Sequence, residues 1–291
     1  MTRILCTGAS GFIGSNLVKR LDELNYEVVC VDKSPKSDRT VKLDVSTEEF
    51  TKYFKNQQFN KIIHLGSPCS IILFNDNPTY YENNTYNGFR NIIKLAEKCG
   101  SQIIYPSSGN IYGHLDKPHS ETDELRPVNI YGMCKLWCEY LVSSNKVSSA
   151  GLRIYCGFGD AEETKGSLAS VLYKFIKNMR IGMTPTIWGN GFQTRDFIYI
   201  DDIVEGFVKA MNWNGKHLIN LASGVSTNYN DLVKLINKVL NTDIIPNYIA
   251  KPEVYVEKTC ADIHLMKKLL GLQPIPLKKG IEQFYEYLIK A

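Results

Sequence analysis

The feature that most narrows what this chain can fold into is a glycine-punctuated turn near its start. The apolar run Ile4-Leu5-Cys6 leads into Thr7-Gly8-Ala9-Ser10-Gly11-Phe12-Ile13-Gly14, and a helical pattern follows with Leu17, Val18 and Leu21 on one face. Glycines at 8, 11 and 14 permit a tight turn, a bare backbone and a close helix–strand contact. Free N–H groups and the positive dipole end of the helix then face any anion at that turn, a pyrophosphate being the natural one. The spacing is G-x-x-G-x-x-G and turns collect glycine anyway, so by itself the triplet leaves an ordinary turn open.

The next segments strengthen the phosphate reading. Glu27-Val28-Val29-Cys30-Val31 reads as a second strand ending in Asp32. An acid at that tip grips a ribose 2′-hydroxyl and repels a 2′-phosphate, which favours NAD over NADP. Lys33, Lys36 and Arg39 weaken that preference without reversing it, and a turn or helix cap is the alternative role for Asp32. Leu43-Asp44-Val45 reads as a third strand. Asp44 either meets an adenine amino group or caps a helix starting near Ser46. Lys61-Ile62-Ile63-His64-Leu65 is a fourth strand, opening on Gly66-Ser67-Pro68, with His64 expected to be structural. A loop from Asn75 to Asn87 should lead to a helix from Gly88 to Lys98, and then to the strand Ile103-Ile104-Tyr105. Strands alternating with helices over roughly the first 150 residues call for a parallel sheet covered on both faces. The glycine turn, the Gly66 region and Ser107 fall at C-terminal strand ends, where such sheets bind ligands.

That last strand delivers Ser107-Ser108, and further on come Tyr131 and Lys135, spaced Tyr-x-x-x-Lys. Positions i and i+4 share a helix face, so a phenol and an ammonium project together. On the bare residues they could be a plain surface pair. With a serine from a strand end they are also the parts of a proton relay.

Composition bounds the rest. A chain of 291 residues, 44% hydrophobic, can bury a large core. Its 34 basic and 30 acidic residues are spread along the chain without a basic tract, so nucleic acid is not expected as a partner. No apolar run approaches the roughly 20 residues of a membrane span, and the start does not resemble a signal peptide. The eight cysteines contain no C-x-x-C pair, which favours reduced core thiols, no metal centre and a cytoplasmic setting. Cys134 and Cys138, one turn apart, read as packing residues.

TGASGFIG, Asp32, the HLGSP turn, SSGNIYG, YGMCK and WGNGFQTRDFIYIDD occur in an order that resembles the extended short-chain dehydrogenase/reductase family, in its sugar-nucleotide epimerase/dehydratase branch. The resemblance implies an α/β fold: a Rossmann-type doubly wound parallel sheet with a smaller, discontinuous C-terminal substrate-binding portion. The nucleotide-binding part would cover 1–155, its sheet completed by segments around 186–220, and 156–291 would be mainly substrate-binding. It implies NAD held by Gly8, Ser10, Gly11, Phe12, Ile13, Gly14, Asp32, Lys33, Asp44, Val45, Leu65, Gly66, Ser67, Ser107, Tyr131 and Lys135. Tyr131 looks like the catalytic base and acid. Lys135 would hold the nicotinamide ribose and lower the phenol pKa, and Ser108 would hydrogen-bond the reacting oxygen. Tyr112 would be packing or a substrate contact. Ser108, Tyr131 and Arg195 would meet a nucleotide-sugar substrate, the arginine clamping its diphosphate. Two departures stand out: Cys156 replaces the usual diphosphate-binding Asn, and a lysine replaces the expected arginine ahead of Lys251-Pro252-Glu253. Asp201-Asp202 should cap a helix from Ile203 to Met211. A homodimer through two helices per subunit, one starting near Tyr131, is also implied.

Similar enzymes that expel water carry Asp-Glu after the catalytic serine, and the decarboxylase carries Glu two positions after it. Here those positions are Gly109 and Asn110, neither a general acid at neutral pH. The expectation is a sugar-nucleotide 4-epimerase. The alternatives are a 4-keto-6-deoxy sugar-nucleotide reductase using NAD(P)H, which the likeness of SSGNIYG to SSGDVYG also suggests, and an NAD-binding scaffold or sensor without turnover.

Overall fold

The computed structural model describes residues 2–114, 116–251 and 255–290. Pro252 and Glu253, in the segment where a lysine was noted, lie outside them. The first half runs β1 (Arg3–Thr7), α1 (Phe12–Glu23), β2 (Glu27–Asp32), β3 (Val41–Lys42), α2 (Glu48–Tyr53), β4 (Lys61–His64), α3 (Ile71–Asp76), α4 (Pro78–Cys99), β5 (Gln102–Ser108), α5 (Ile130–Ser144) and β6 (Ser149–Ile154). The second half runs β7 (Cys156–Phe158), α6 (Val171–Arg180), β8 (Thr186–Trp188), β9 (Thr194–Tyr199), α7 (Ile200–Ala210) and β10 (Lys216–Leu221). It closes with β11 (Ser226–Asn228), α8 (Tyr229–Leu240), β12 (Asn247–Ile249), α9 (His264–Leu270) and α10 (Leu277–Lys290).

Seven strands form one parallel sheet in the order β10-β6-β5-β4-β1-β2-β3. Successive residues of a strand face opposite sides, so a sheet buried on both faces needs apolar residues at consecutive positions. Ile4 and Cys6 pack on one side with Leu17 and Leu21 of α1 and Phe207 of α7. Leu5 packs on the other, with Phe50 of α2, Phe89 and Ile92 of α4, and Cys138 of α5. Ile62 and Ile63, and likewise Ile103 and Ile104, divide between the two faces in the same way. The second half supplies β10 to this sheet, whereas β8 and β9 go to smaller sheets, β12-β8 and β11-β9-β7.

Four local expectations need correction. The stretch read as a loop from Asn75 to Asn87 is largely helix. Asn77 Oδ1 accepts from Tyr80 N at 3.2 Å and Pro78 occupies the first turn, so an Asn-Pro pair starts α4. Buried Asn84, Thr85, Gly88, Phe89, Ile92, Ile93 and Ala96 continue one face down that helix. The third strand is Val41–Lys42, not Leu43 to Val45. Asp44 Oδ1 accepts from Ser46 N at 2.8 Å and from Ser46 Oγ at 2.7 Å, folding a local turn, and Thr47 stands at the helix start. Asp201 and Asp202 lie inside the first turn of α7 instead of capping it, and Asp202 accepts from Ile275 N at 3.0 Å.

Candidate active site

At the C-terminal edge of the sheet, the glycine turn shows why its three glycines are needed. Gly8 has φ +70°, and a Cβ there would lie 2.6 Å from Gly66 N and Leu65 C. A Cβ on Gly14 would stand 2.0 Å from Gly8 O, so the first turn of α1 rests on the loop itself. Gly11 caps α1 without a side-chain hydrogen bond, leaving the helix N-terminus open to an anion.

Asp32, the acid expected to grip the ribose, is pinned beside this turn. Asp32 Oδ2 accepts from Ser10 N at 3.0 Å and Oδ1 from Ser34 N at 2.9 Å, while Ser10 Oγ accepts from Lys36 N at 3.1 Å. Arg39, the strongest nearby candidate to welcome a 2′-phosphate, instead pairs with Asp22 through both terminal nitrogens. The donor set therefore fits NAD: a bare turn for the pyrophosphate and an acid for the ribose. A cleft of about 220 Å³ joins Gly8, Asp32, Lys33, Asp44, Val45, Gly66 and Ser67. It also includes Cys69, Leu73, Tyr81 and Asn84, which sequence reasoning missed, the last two because the stretch from Asn75 to Asn87 was read as a loop. Asn84 donates to Ser46 Oγ at 2.9 Å, joining α4 to the turn that carries Asp44. A wider depression of about 840 Å³ between α2 and α4 contains none of the expected site residues. Chemistry, not size, therefore marks the site.

Ser108, Tyr131 and Lys135 are all buried, the serine at the end of β5 and the other two one turn apart in α5. Asn129 Oδ1 accepts from Gly132 N at 2.8 Å, capping α5 immediately before the phenol. Burial, partly against Phe74 of α3, pushes the Tyr131 phenol well above its usual range, and the Ser108 hydroxyl opposes this as a hydrogen-bonding neighbour. Burial likewise lowers the Lys135 ammonium, which donates to Ser67 Oγ at 3.4 Å and lies 5.7 Å from the Tyr131 ring centre. Lys135 is not among the groups lowering the phenol in this structure. Ser108 Oγ accepts from Asn110 N at 3.2 Å and from Asn110 Nδ2 at 3.1 Å.

The Ser107 hydroxyl is already partnered within the protein. Ser107 is 3% exposed, and its hydroxyl donates to Glu139 Oε1 at 2.5 Å. Tyr112 is a packing residue, fully buried, with its hydroxyl donating to Asn220 Oδ1 at 2.7 Å and accepting from Arg153 Nη1 at 2.7 Å. His64 is structural as expected: it is buried with Nδ1 2.7 Å from Thr7 Oγ1, and desolvation drives its pKa down to about 3.

On the substrate side, Arg195 and Asp196 are not a surface ion pair. Asp196 is fully buried and accepts from Ser223 N, Gly224 N and Ala261 N. Arg195 lies over the rings of Tyr255 at 5.0 Å and Tyr229 at 5.8 Å, with Nη1 donating to Thr194 O at 2.8 Å. The guanidinium is close enough to Cys156 to oppose the burial that raises that thiol. Beside Ser108, the ring of Tyr155 covers Gly109, where a Cβ would sit 2.9 Å from the ring.

Residues 4–222 match the family described as the NAD dependent epimerase/dehydratase family. The ADP-L-glycero-D-manno-heptose-6-epimerase of Brachyspira hyodysenteriae is 28% identical, over 99% of this chain and 98% of that protein. UDP-glucuronic acid decarboxylase 1 of Danio rerio is 26% identical, over 98% of this chain and 72% of that protein. Among solved structures, the UDP-glucose 4-epimerase of Thermotoga maritima, determined with UDP-glucose, is similar at a TM-score of 0.93. It is 27% identical, with 99% of each chain covered.

Proposed function

Since the chain belongs to the NAD dependent epimerase/dehydratase family, we propose that it is a sugar-nucleotide 4-epimerase. Its cofactor is NAD. The observation that carries this reading is the arrangement beside Ser108. Tyr155 occupies the space a side chain at 109 would need, and Asn110 is spent on the serine hydroxyl. The site has a serine, a phenol and an ammonium for moving one proton, and no acid at 109 or 110 for expelling water or assisting loss of a carboxyl group.

When bound, NAD supplies the acceptor and donor of hydride. Tyr131 takes the proton from the hydroxyl on carbon 4 of the hexose and later returns it to the same oxygen. Ser108 hydrogen-bonds that oxygen throughout. Lys135, its ammonium 5.7 Å from the Tyr131 ring centre, would hold the nicotinamide ribose, while the Ser108 hydroxyl opposes the burial that disfavours the phenolate. Between the two transfers the 4-keto sugar turns over, while Arg195 retains its diphosphate; the fork of a guanidinium suits two phosphate oxygens. The guanidinium lies over the rings of Tyr255 and Tyr229, with Nη1 donating to Thr194 O.

The same reading includes a homodimer. The solvent side of α5 carries exposed Met133 and Tyr140 with half-buried Leu136 and Trp137 between them, an apolar stripe at i, i+3, i+4 and i+7.

The test is to purify the protein, release its nucleotide with acid and assay UDP-, GDP-, CDP- and dTDP-hexoses. Near-stoichiometric NAD together with interconversion of two 4-epimers supports the reading. A protein free of nucleotide that consumes NADPH with a 4-keto-6-deoxy sugar nucleotide is a reductase. Loss of carbon dioxide from a nucleotide-linked uronic acid would make it a decarboxylase.

A further inference from the structure

Glu139 follows Tyr131 and Lys135 at the same four-residue spacing, so the three side chains lie along one face of α5. Its carboxylate forms a fork-to-fork pair with Arg153 of β6, Nε to Oε1 at 3.0 Å and Nη2 to Oε2 at 2.8 Å. Both side chains are only 3% exposed. A buried ion pair is a weak way to gain stability, because desolvating both charges offsets their attraction. Its remaining bonds say what else it does. Glu139 Oε1 also accepts from Ser107 Oγ at 2.5 Å, and Arg153 Nη1 also donates to the Tyr112 hydroxyl at 2.7 Å. Ser107 immediately precedes Ser108, and Tyr112 ends the short turn Gly109–Ile111 that follows it. Both flanks of Ser108 are therefore tied to one ion pair, and that pair is rooted in the helix bearing Tyr131. Tyr112 is tied in turn to Asn220 of β10.

We infer that the Glu139–Arg153 pair is a positioning device that fixes Ser108 against Tyr131 by clamping the strand before the serine and the turn after it. Glu139, Arg153, Ser107 and Tyr112 act through the serine and the phenol and need not touch substrate. This rests on the 4-epimerase reading only where turnover is the readout.

The variant that separates positioning from stability is Ser107→Ala/Glu139→Leu/Arg153→Met, which removes both charges and the dependent hydroxyl together. Apolar replacements of a buried pair are often neutral or stabilising, so the thermal midpoint should stay close to that of the parent. Turnover should fall roughly tenfold to a hundredfold, since small misplacement of reacting groups is costly. The KM for the nucleotide sugar should stay within about threefold, because Arg195 is untouched.

A second readout does not need turnover. Tyrosine ionisation at 295 nm is compared with the same background carrying Tyr131→Phe. A phenol released from its packed position should titrate near its ordinary value of about 10, whereas in the parent, where burial raises the phenol, that step should be absent. A stable triple variant with turnover within about twofold of the parent and an unchanged titration overturns the inference. If the triple variant does not fold, Ser107→Ala alone severs one tie. Lower turnover at unchanged KM then supports the clamp, and unchanged turnover overturns it. Should the parent epimerise no sugar, the functional reading fails, and the titration still decides the positioning.

Discussion

In the proposed mechanism Tyr131 acts as a base from an environment that disfavours its charged form. Burial raises the phenol pKa, and the Ser108 hydroxyl pulls against that shift. A base is active when deprotonated, so kcat/KM with the cognate nucleotide sugar should rise from neutral into alkaline pH. In Ser108→Ala the rising limb should move to higher pH, because the hydroxyl that favours the phenolate is gone. A limb at unchanged pH would remove that role from Ser108. Tyr131→Phe should lower turnover by roughly 100- to 10,000-fold while acid-released NAD remains near stoichiometric, since the glycine turn and Asp32 are untouched. That Tyr131 and Lys135 share a helix face was legible from the Tyr-x-x-x-Lys spacing, and the place of Ser108 at a strand end from the apolar run before it; their proposed roles come from the family resemblance. The partner of the Ser107 hydroxyl was not legible, because Glu139 is distant in sequence. Glu139 itself was visible only as the next member of an i, i+4 series. Nothing in the chain's pattern indicates that Arg153 waits on the neighbouring strand.

At the scale of elements, the Asn-rich segment before Phe89 shows where pattern reading fails. Asn and Pro serve both as loop formers and as helix starters, and only the placement of Asn77 directly before Pro78 distinguishes the roles. The apolar face of α4 is hard to see because Asn84, Thr85 and Gly88 contribute to it, and they are buried by polar contacts or close approach. Asn77→Ala should therefore cost about 1 kcal/mol of stability through the lost cap, read as a lower denaturant midpoint with an unchanged slope. No loss would mean that packing alone starts the helix. The strands β1, β2, β4 and β5 were legible from their apolar runs, because a sheet buried on both faces requires them. The edge strand β3 is only two residues long, and Asp44 beyond it folds a turn, so its limits could not be read from hydrophobicity.

For the whole molecule, the two faces of α5 make opposite demands. One face carries Tyr131, Lys135 and Glu139 into the protein, while the other presents Met133, Leu136, Trp137 and Tyr140 outward. Tyr140 is 71% exposed and Met133 50%. Trp137 leans on Tyr86 of α4 at 4.2 Å and lies beneath the Arg90 guanidinium at 5.5 Å, so the stripe continues onto the neighbouring helix. Two such helices from each of two subunits would pack as a four-helix bundle, related by a twofold axis that places the same residues opposite each other. Among the described residues no helix is long and apolar enough to cross a membrane. Placing a carboxylate at the stripe's most exposed position should oppose association twice, once by desolvation and once by repulsion across the axis. Tyr140→Glu should therefore sediment as a monomer at concentrations where the parent is a dimer. The mutated side chain points away from Tyr131 along the helix, so any loss of turnover should scale with the monomer fraction as protein is diluted. A parent that sediments as a monomer at all concentrations would leave this face to another partner. A variant that stays dimeric would move the interface off α5.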